Sequence, residues 1–126
     1  MILKIRNKIV KLQLLNTKTS QILAGLSSFK SNINTWGDEI YFKTPSKNIA
    51  LEPNTTDIMN YGEVAYWTEG NSIAIGFGAT PASKNDEIRL VSKVNIWAKF
   101  DTKLLSIDFL SILSDNEVIE VIKVIH

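Results

Sequence analysis

Asn71-Ser72-Ile73-Ala74-Ile75-Gly76-Phe77-Gly78 is the stretch on which the fold turns. Read with a period of two, Ile73, Ile75 and Phe77 make one large apolar face. Ala74, Gly76 and Gly78 leave the opposite face almost bare. Alternation of this kind is the mark of a strand, because successive side chains leave a pleated backbone on opposite sides. Glycine inside a strand marks a bulge, a bend or close approach by another group. Two readings of the bare face stay open: curvature or a covering element, and the floor of a shallow binding groove.

Working outward, the same period recurs on both sides. Ile40 and Phe42 share a face, as do Val64 and Tyr66, and Val94, Ile96, Ala98 and Phe100 form a longer row opposite Asn95, Trp97 and Lys99. At the N-terminus Leu3 and Ile5 alternate with Lys4 and Arg6, then Val10, Leu12 and Leu14 with Lys11 and Gln13. These two runs predict a hairpin, with Asn7 as the turn residue that tolerates positive φ. Asn16 or Thr17 can cap a short helix to about Leu26, striped by Ile22, Leu23 and Leu26. Asp101 or Thr102 can cap a second one through about Leu113. In Glu117–Ile125 every apolar residue is valine or isoleucine, and stiff β-branched side chains favour a strand. The outline is hairpin, helix, several strands, helix, strand, which predicts a closed β-barrel of about eight strands with two short helices covering its ends.

Composition narrows the function classes. The chain has 126 residues, 44% of them hydrophobic and 21% charged, the profile of one globular domain spanning 1–126. Fourteen basic residues against thirteen acidic ones leave a net charge of +1, so no global field holds nucleic acid or an anionic membrane. There is no cysteine, which excludes disulfides, thiolate nucleophiles and cysteine–zinc sites. No apolar run approaches the ~20 residues of a membrane span, and charges interrupt Met1–Lys8 too often for a signal peptide. The expected compartment is the cytoplasm. His126 is the only histidine, and a terminal position argues against a histidine triad or a multi-histidine metal site. No metal or cofactor is expected.

Little chemistry stands out. Gly76-Phe77-Gly78 lacks the lysine, serine or helix of a phosphate loop. Lys4, Arg6, Lys8 and Lys11 read as a solvated hairpin face. The acidic pairs Asp38-Glu39 and Asp86-Glu87 each point to opposite sides of a strand and make no dyad alone. Ala79–Glu87 is the longest polar connection beside strong strands, a common place for function. Arg89, one of two arginines, follows it with a fork able to bind a carboxylate or an amide carbonyl, or to pair with Asp86 or Glu87. Trp36, Tyr41, Trp67 and Trp97 add large amphipathic surfaces, read first as core or rim filling.

Several of these segments resemble a known family. Asn34-Thr35-Trp36-Gly37-Asp38-Glu39-Ile40-Tyr41-Phe42 is similar to the opening signature of the small microbial cyclophilin-like proteins of the Thermotoga type. Gly62–Trp67 and Gly70–Ser83 look like its central block, and Asp86–Arg89 with Val94-Asn95 like its last. The resemblance implies a cyclophilin-like barrel related to peptidyl-prolyl isomerases, without implying their activity. Cyclophilin catalysis uses an arginine in a Phe-His-Arg strand motif, which this sequence lacks, and the corresponding Trp36–Phe42 strand holds no arginine.

The expected function is therefore a binding module for a peptide segment or a small anionic molecule, without ordinary prolyl isomerase activity. Its groove would run over Ala74, Gly76 and Gly78, walled by Phe77, the Thr80–Glu87 loop and Arg89. Trp36, Glu39, Tyr41, Phe77, Thr80, Pro81, Arg89 and Asn95 are the candidate ligand-binding residues. One alternative is an isomerase with Arg89 as a relocated arginine, stabilising a twisted prolyl amide without a general base. Another is a structural protein acting through an assembly, with an apolar patch around Trp97 pairing with its own copy. Monomer and homodimer both fit the sequence.

Overall fold

The computed structural model describes residues 1–124, so Ile125 and His126 lie outside the described residues. The N-terminal alternation forms β1 (Ile2–Ile5) and β2 (Lys8–Lys11), paired antiparallel with Ile5 opposite Lys8. The two turn residues are Arg6 and Asn7, and Arg6, not Asn7, takes the left-handed conformation at φ 54. An ion pair fixes it there: Arg6 Nε donates to Glu117 Oε1 at 2.6 Å and Nη2 to Oε2 at 3.0 Å. A long-range contact has overridden the local preference for asparagine.

Next come β3 (Gln13–Leu14) and the helix α1 (Lys18–Ala24). Thr17 is the N-cap, its hydroxyl accepting from the Ser20 N–H, and Leu23 is the buried apolar contact. Five strands alternate with turns through the middle of the chain: β4 (Phe29–Asn32), β5 (Asn34–Thr35), β6 (Glu39–Lys43), β7 (Thr56–Met59) and β8 (Glu63–Trp67). The diagnostic stretch becomes β9 (Ser72–Gly76), and β10 runs from Ile88 to Lys99. The second helix, α2 (Ile107–Ser111), starts later than Asp101 or Thr102. Asp101 accepts from the Lys103 N–H at 2.9 Å and closes a turn, while Ser106 takes the cap by accepting from Phe109 N–H at 3.1 Å. The last strand is β11 (Val118–Ile122).

The strands pair into two sheets. One has the order β2-β1-β11-β4, and the other β3-β10-β8-β9-β6-β5, with β7 also paired to β10. The fold is mostly β with two short helices, as the alternation predicted. Among the described residues the hydrogen-bonded pairing runs through these two sheets and closes neither on itself. The sheets nonetheless share chain at both edges. Leu12 alone separates β2 from β3, and its N–H donates to Met1 O at 2.9 Å. Ile33 alone separates β4 from β5, exchanging bonds with Glu117 O at 2.8 Å and Asn116 N at 2.7 Å.

The main core lies between the sheets. Leu3, Ile5, Ile40, Phe42, Val64, Tyr66, Ile73 and Ile75 are fully buried there, the inward phase of their strands. The row Val94–Phe100 does not stay on one face. Ile96 pairs with Ala65 and Ala98 with Val64, so Trp97 is an extra residue in a bulge. Past it the phase inverts: Val94 and Ile96 belong to a second cluster, while Trp97, Ala98 and Phe100 enter the main core. Trp97 is 0% exposed, so the apolar surface patch expected around it is interior.

Candidate functional site

The outward phase of the large sheet builds the site. On β6, Ile40 and Phe42 point to the main core, which leaves Glu39 and Tyr41 on the other side. Tyr41 pairs with Ala74 of β9, Ala74 with Ala65 of β8, and Trp67 lies two residues further along β8. Ala65 and Ala74, with Met59, Leu90 and Val94, form a second apolar cluster against which Tyr41 and Trp67 pack. Small residues on β8 and β9 are what let the two large rings lie over the sheet.

A cavity of about 190 Å³ opens here, lined by Trp36, Glu39, Tyr41, Trp67 and Ala74 on the sheet side. Leu90, Val91 and Val94 of β10 close it. They reach it because β10 is irregular against β7: Arg89 pairs with Ile58 and Val94 with Thr56, so four residues on β10 face one on β7. The Trp67 indole is oriented by its N–H, which donates to Ser92 Oγ at 3.0 Å within that irregular stretch.

Trp36 and Glu39 are set by a tight turn. The Trp36 N–H donates to Glu39 O at 3.0 Å, and Gly37 adopts φ +59 between them. A Cβ on Gly37 would stand 2.9 Å from both Pro81 Cδ and Thr80 Cα. Asp38 N–H donates to Ala79 O at 2.9 Å, so the Thr80-Pro81 loop braces the turn from behind.

Glu39 is the anomaly. It is 7% exposed, yet no hydrogen bond or ion pair reaches its carboxylate among the described residues. Burial pushes its carboxyl from 4.5 up to about 7. Its oxygens keep a little solvent contact, since among the described residues Trp97 Nε1 is the one fully buried side-chain polar atom without a partner.

The other candidate residues are dispersed. Phe77 is 6% exposed and belongs to the main core, not to the cavity. Gly76 is covered: a Cβ there would meet Ile88 Cγ2 at 2.4 Å. The open part of the bare face is at Ala74. Thr80 bonds through its hydroxyl to Arg89 O, and Pro81 packs on Gly37. The Arg89 fork is occupied, with Nε on Glu87 Oε1 at 2.8 Å, Nη2 on Glu87 Oε2 at 3.1 Å and Nη1 on Asp57 Oδ2 at 2.6 Å. Arg89 does not line the cavity. Asn95 is structural: its amide accepts from Glu52 N–H at 2.9 Å and donates to Thr19 Oγ1 at 3.0 Å and Ala50 O at 2.9 Å.

Of the eight candidates, Trp36, Glu39 and Tyr41 thus come together around one cavity. The period of β8 carried the signal for Trp67, since Val64 and Tyr66 inward put Trp67 beside Tyr41. A wider and more open depression of about 730 Å³ lies around Tyr61, Lys11 and Lys99. Its lining mixes charges of both signs and holds no buried unpartnered group. No group of three or more histidine, cysteine or acidic residues that could hold a metal ion occurs among the described residues. Among the same residues no helix is long and apolar enough to cross a membrane.

Two sheets sharing both edges, and an outer face carrying an acid-bearing aromatic cavity, define a class of small β domain with a pocket on the side of the sheet. The chain belongs to the cyclophilin-like family, whose model matches residues 1–120. It is similar to the solution structure of the hypothetical protein AF2241 from Archaeoglobus fulgidus, with 31% identity and a TM-score of 0.76. That match covers 98% of this chain and 92% of the other. No protein of curated function matches this chain. The result is a cyclophilin-like protein of unassigned function.

Proposed function

We propose that this protein is a small-ligand-binding module without ordinary prolyl isomerase activity, and that its site is the cavity of Trp36, Glu39, Tyr41 and Trp67. One observation carries this reading: Glu39 is 7% exposed, has no protein partner for its carboxylate among the described residues, and lines a concave, otherwise apolar surface. Folding alone gives no return for such a group, whereas a ligand that meets it does. At about 190 Å³ the cavity suits a small molecule or one peptide side chain, not a folded segment. Against isomerisation stands the arginine. Arg89 is committed to Glu87 and Asp57, and Arg6 to Glu117.

The test is a two-dimensional NMR titration of the whole chain with a small-fragment library that includes Ala-X-Pro peptides. Saturable shifts confined to 36–41, 67 and 90–94, with no accelerated peptide exchange, are expected. Shifts centred on Arg89 with accelerated exchange would replace the reading with an isomerase. No saturable shift from any fragment would remove the site.

The same reading takes the two sheets as one barrel. Counting β2 with β3 and β4 with β5 as single bent strands, the order β2/β3, β1, β11, β4/β5, β6, β9, β8, β10 returns to its start. Strands that change sheet at a bend commonly make the corners of such structures. Amide protection at Leu12 and Ile33 as strong as in β1 would support it.

A further inference from the structure

We propose that the cavity takes the cationic head of an organic amine, an alkylammonium group, with Glu39 as its counter-ion and the Trp36, Tyr41 and Trp67 rings as its walls. The inference rests on the small-ligand reading above and specifies its chemistry. Four features of the site point the same way.

The charge comes first. Among the described residues Glu39 is the only carboxylate lining the cavity, and no lysine or arginine lines it. An anionic ligand would meet an acid and no compensating cation. A cation would restore the pairing that the buried carboxylate lacks.

The walls come second. Three aromatic side chains line one small cavity. Ring faces attract cations within about 6 Å, and the attraction grows when water is excluded. Small metal ions are a poor fit, because hard cations need six or more oxygen ligands and the cavity offers one carboxylate. An ammonium group is satisfied by one carboxylate together with π faces.

Size comes third. A volume of about 190 Å³ corresponds to roughly six waters at ~30 Å³ each. That holds an ammonium group and a short alkyl stem. Leu90, Val91 and Val94 offer the stem an apolar side.

Protonation comes fourth. Among the described residues Tyr41 is the only other titratable side chain in the lining; β8 contributes Trp67, β9 Ala74, and β10 Leu90, Val91 and Val94. Asp38, next along the turn, lies against Gly78, and Arg89 of β10 is held by Glu87 and Asp57. With no compensating charge nearby, burial alone keeps the Glu39 carboxyl near 7. An arriving ammonium selects the ionised form, so binding below pH 7 releases one proton. The affinity then falls about tenfold per pH unit below 7 and levels off above it.

Calorimetry on the full chain with n-butylammonium and the uncharged alcohol n-pentanol, one carbon longer, at pH 6 and pH 8, tests this. The expected result is saturable n-butylammonium binding, about tenfold tighter at pH 8 than at pH 6, with n-pentanol weaker by tenfold or more at pH 8. Glu39→Gln should lose at least tenfold for n-butylammonium and lose the pH dependence, while retaining n-pentanol binding as evidence of an intact pocket. Equal binding of the two compounds, unchanged in Glu39→Gln, would overturn the cation assignment and leave the small-ligand site standing. Failure of n-butylammonium to bind, where neutral fragments still shift residues 36–41, would do the same. If no fragment binds either, both readings fall together.

Discussion

Tyr41 and Trp67 meet edge to face across the outer side of the large sheet, their ring centroids 5.9 Å apart and their planes at 85°. They belong to β6 and β8, which are not neighbours, and β9 runs between them. The contact exists because β9 presents only Ala74 beneath it. Such pairs contribute about 0.5–1.5 kcal/mol beyond their buried area, so the rings help hold the cavity open at fixed width.

Ala74→Leu should therefore fill the cavity from its floor. Added volume in a packed site typically costs about 1–3 kcal/mol. We expect a folded but less stable protein whose fragment binding is lost. Unchanged binding, measured by the shifts of residues 36–41, would place the ligand elsewhere.

Glu39 makes a signed prediction about pH. Its folded-state carboxyl is raised from 4.5 to about 7, so between those values the native state holds a proton that the unfolded chain has released. Stability must then fall as pH rises through that window and flatten above 7. A gap from 4.5 to about 7 at ~1.36 kcal/mol per unit sets the scale at about 3 kcal/mol. In chemical denaturation between pH 5 and 8, Glu39→Gln should lack this decline and be the more stable protein at pH 8. Parallel pH profiles for the two proteins would contradict the burial of the acid.

Gly37 ties the turn to the site. A side chain there must adopt φ +59 and stand 2.9 Å from the Thr80 backbone, so Gly37→Ala should cost about 1–3 kcal/mol. Fragment affinity should drop as well, because Trp36 and Glu39 flank that turn. Gly25→Ala is the control. Gly25 has φ −79, and a Cβ there would meet nothing closer than 3.4 Å, so neutrality or a gain of about 0.5 kcal/mol is expected.

Asn95 separates scaffold from site. It is 2% exposed, and its three hydrogen bonds join α1, the segment at Ala50–Glu52 and β10. Asn95→Ala leaves those groups unpaired, at a cost of about 1–3 kcal/mol. Ligand affinity of the folded variant should be unchanged. A selective loss of binding would give Asn95 a role that its position does not suggest.

Much of the scaffold was legible because alternation is a local signal. The strands around Ile40, Tyr66 and Ile75 and the cap at Thr17 follow from period and residue type alone. Trp36, Glu39 and Tyr41 could be picked out because they cluster in one motif around a turn. Three features were not legible, and each depends on distant partners. Trp97 reads as sharing a face with Asn95 and Lys99, away from the apolar row, until the bulge opposite Ala65 and Val64 inverts the phase of β10. Leu90 and Val91 read as plain strand until β7 fails to keep pace with them. Arg89 reads as a fork that Asp86 or Glu87 could hold, and only the fold brings Asp57 to its other side.

The place of β11 carries a consequence for how the molecule comes to exist. It follows every other strand among the described residues, yet it lies inside the small sheet, with β1 on one flank and β4 on the other. Until it arrives, Leu3 and Ile5 of the first strand have no neighbour on that side, and neither does β4. Pairings that span nearly the whole sequence are slow to find, since the chain entropy of closing so large a loop is spent before any contact rewards it. A chain emerging from the ribosome can close the β1–β2 hairpin early but holds the other flank of β1, and β4, open until residues 118–122 are made. The last strand then acts as a clasp that joins the β1–β2 hairpin to β4.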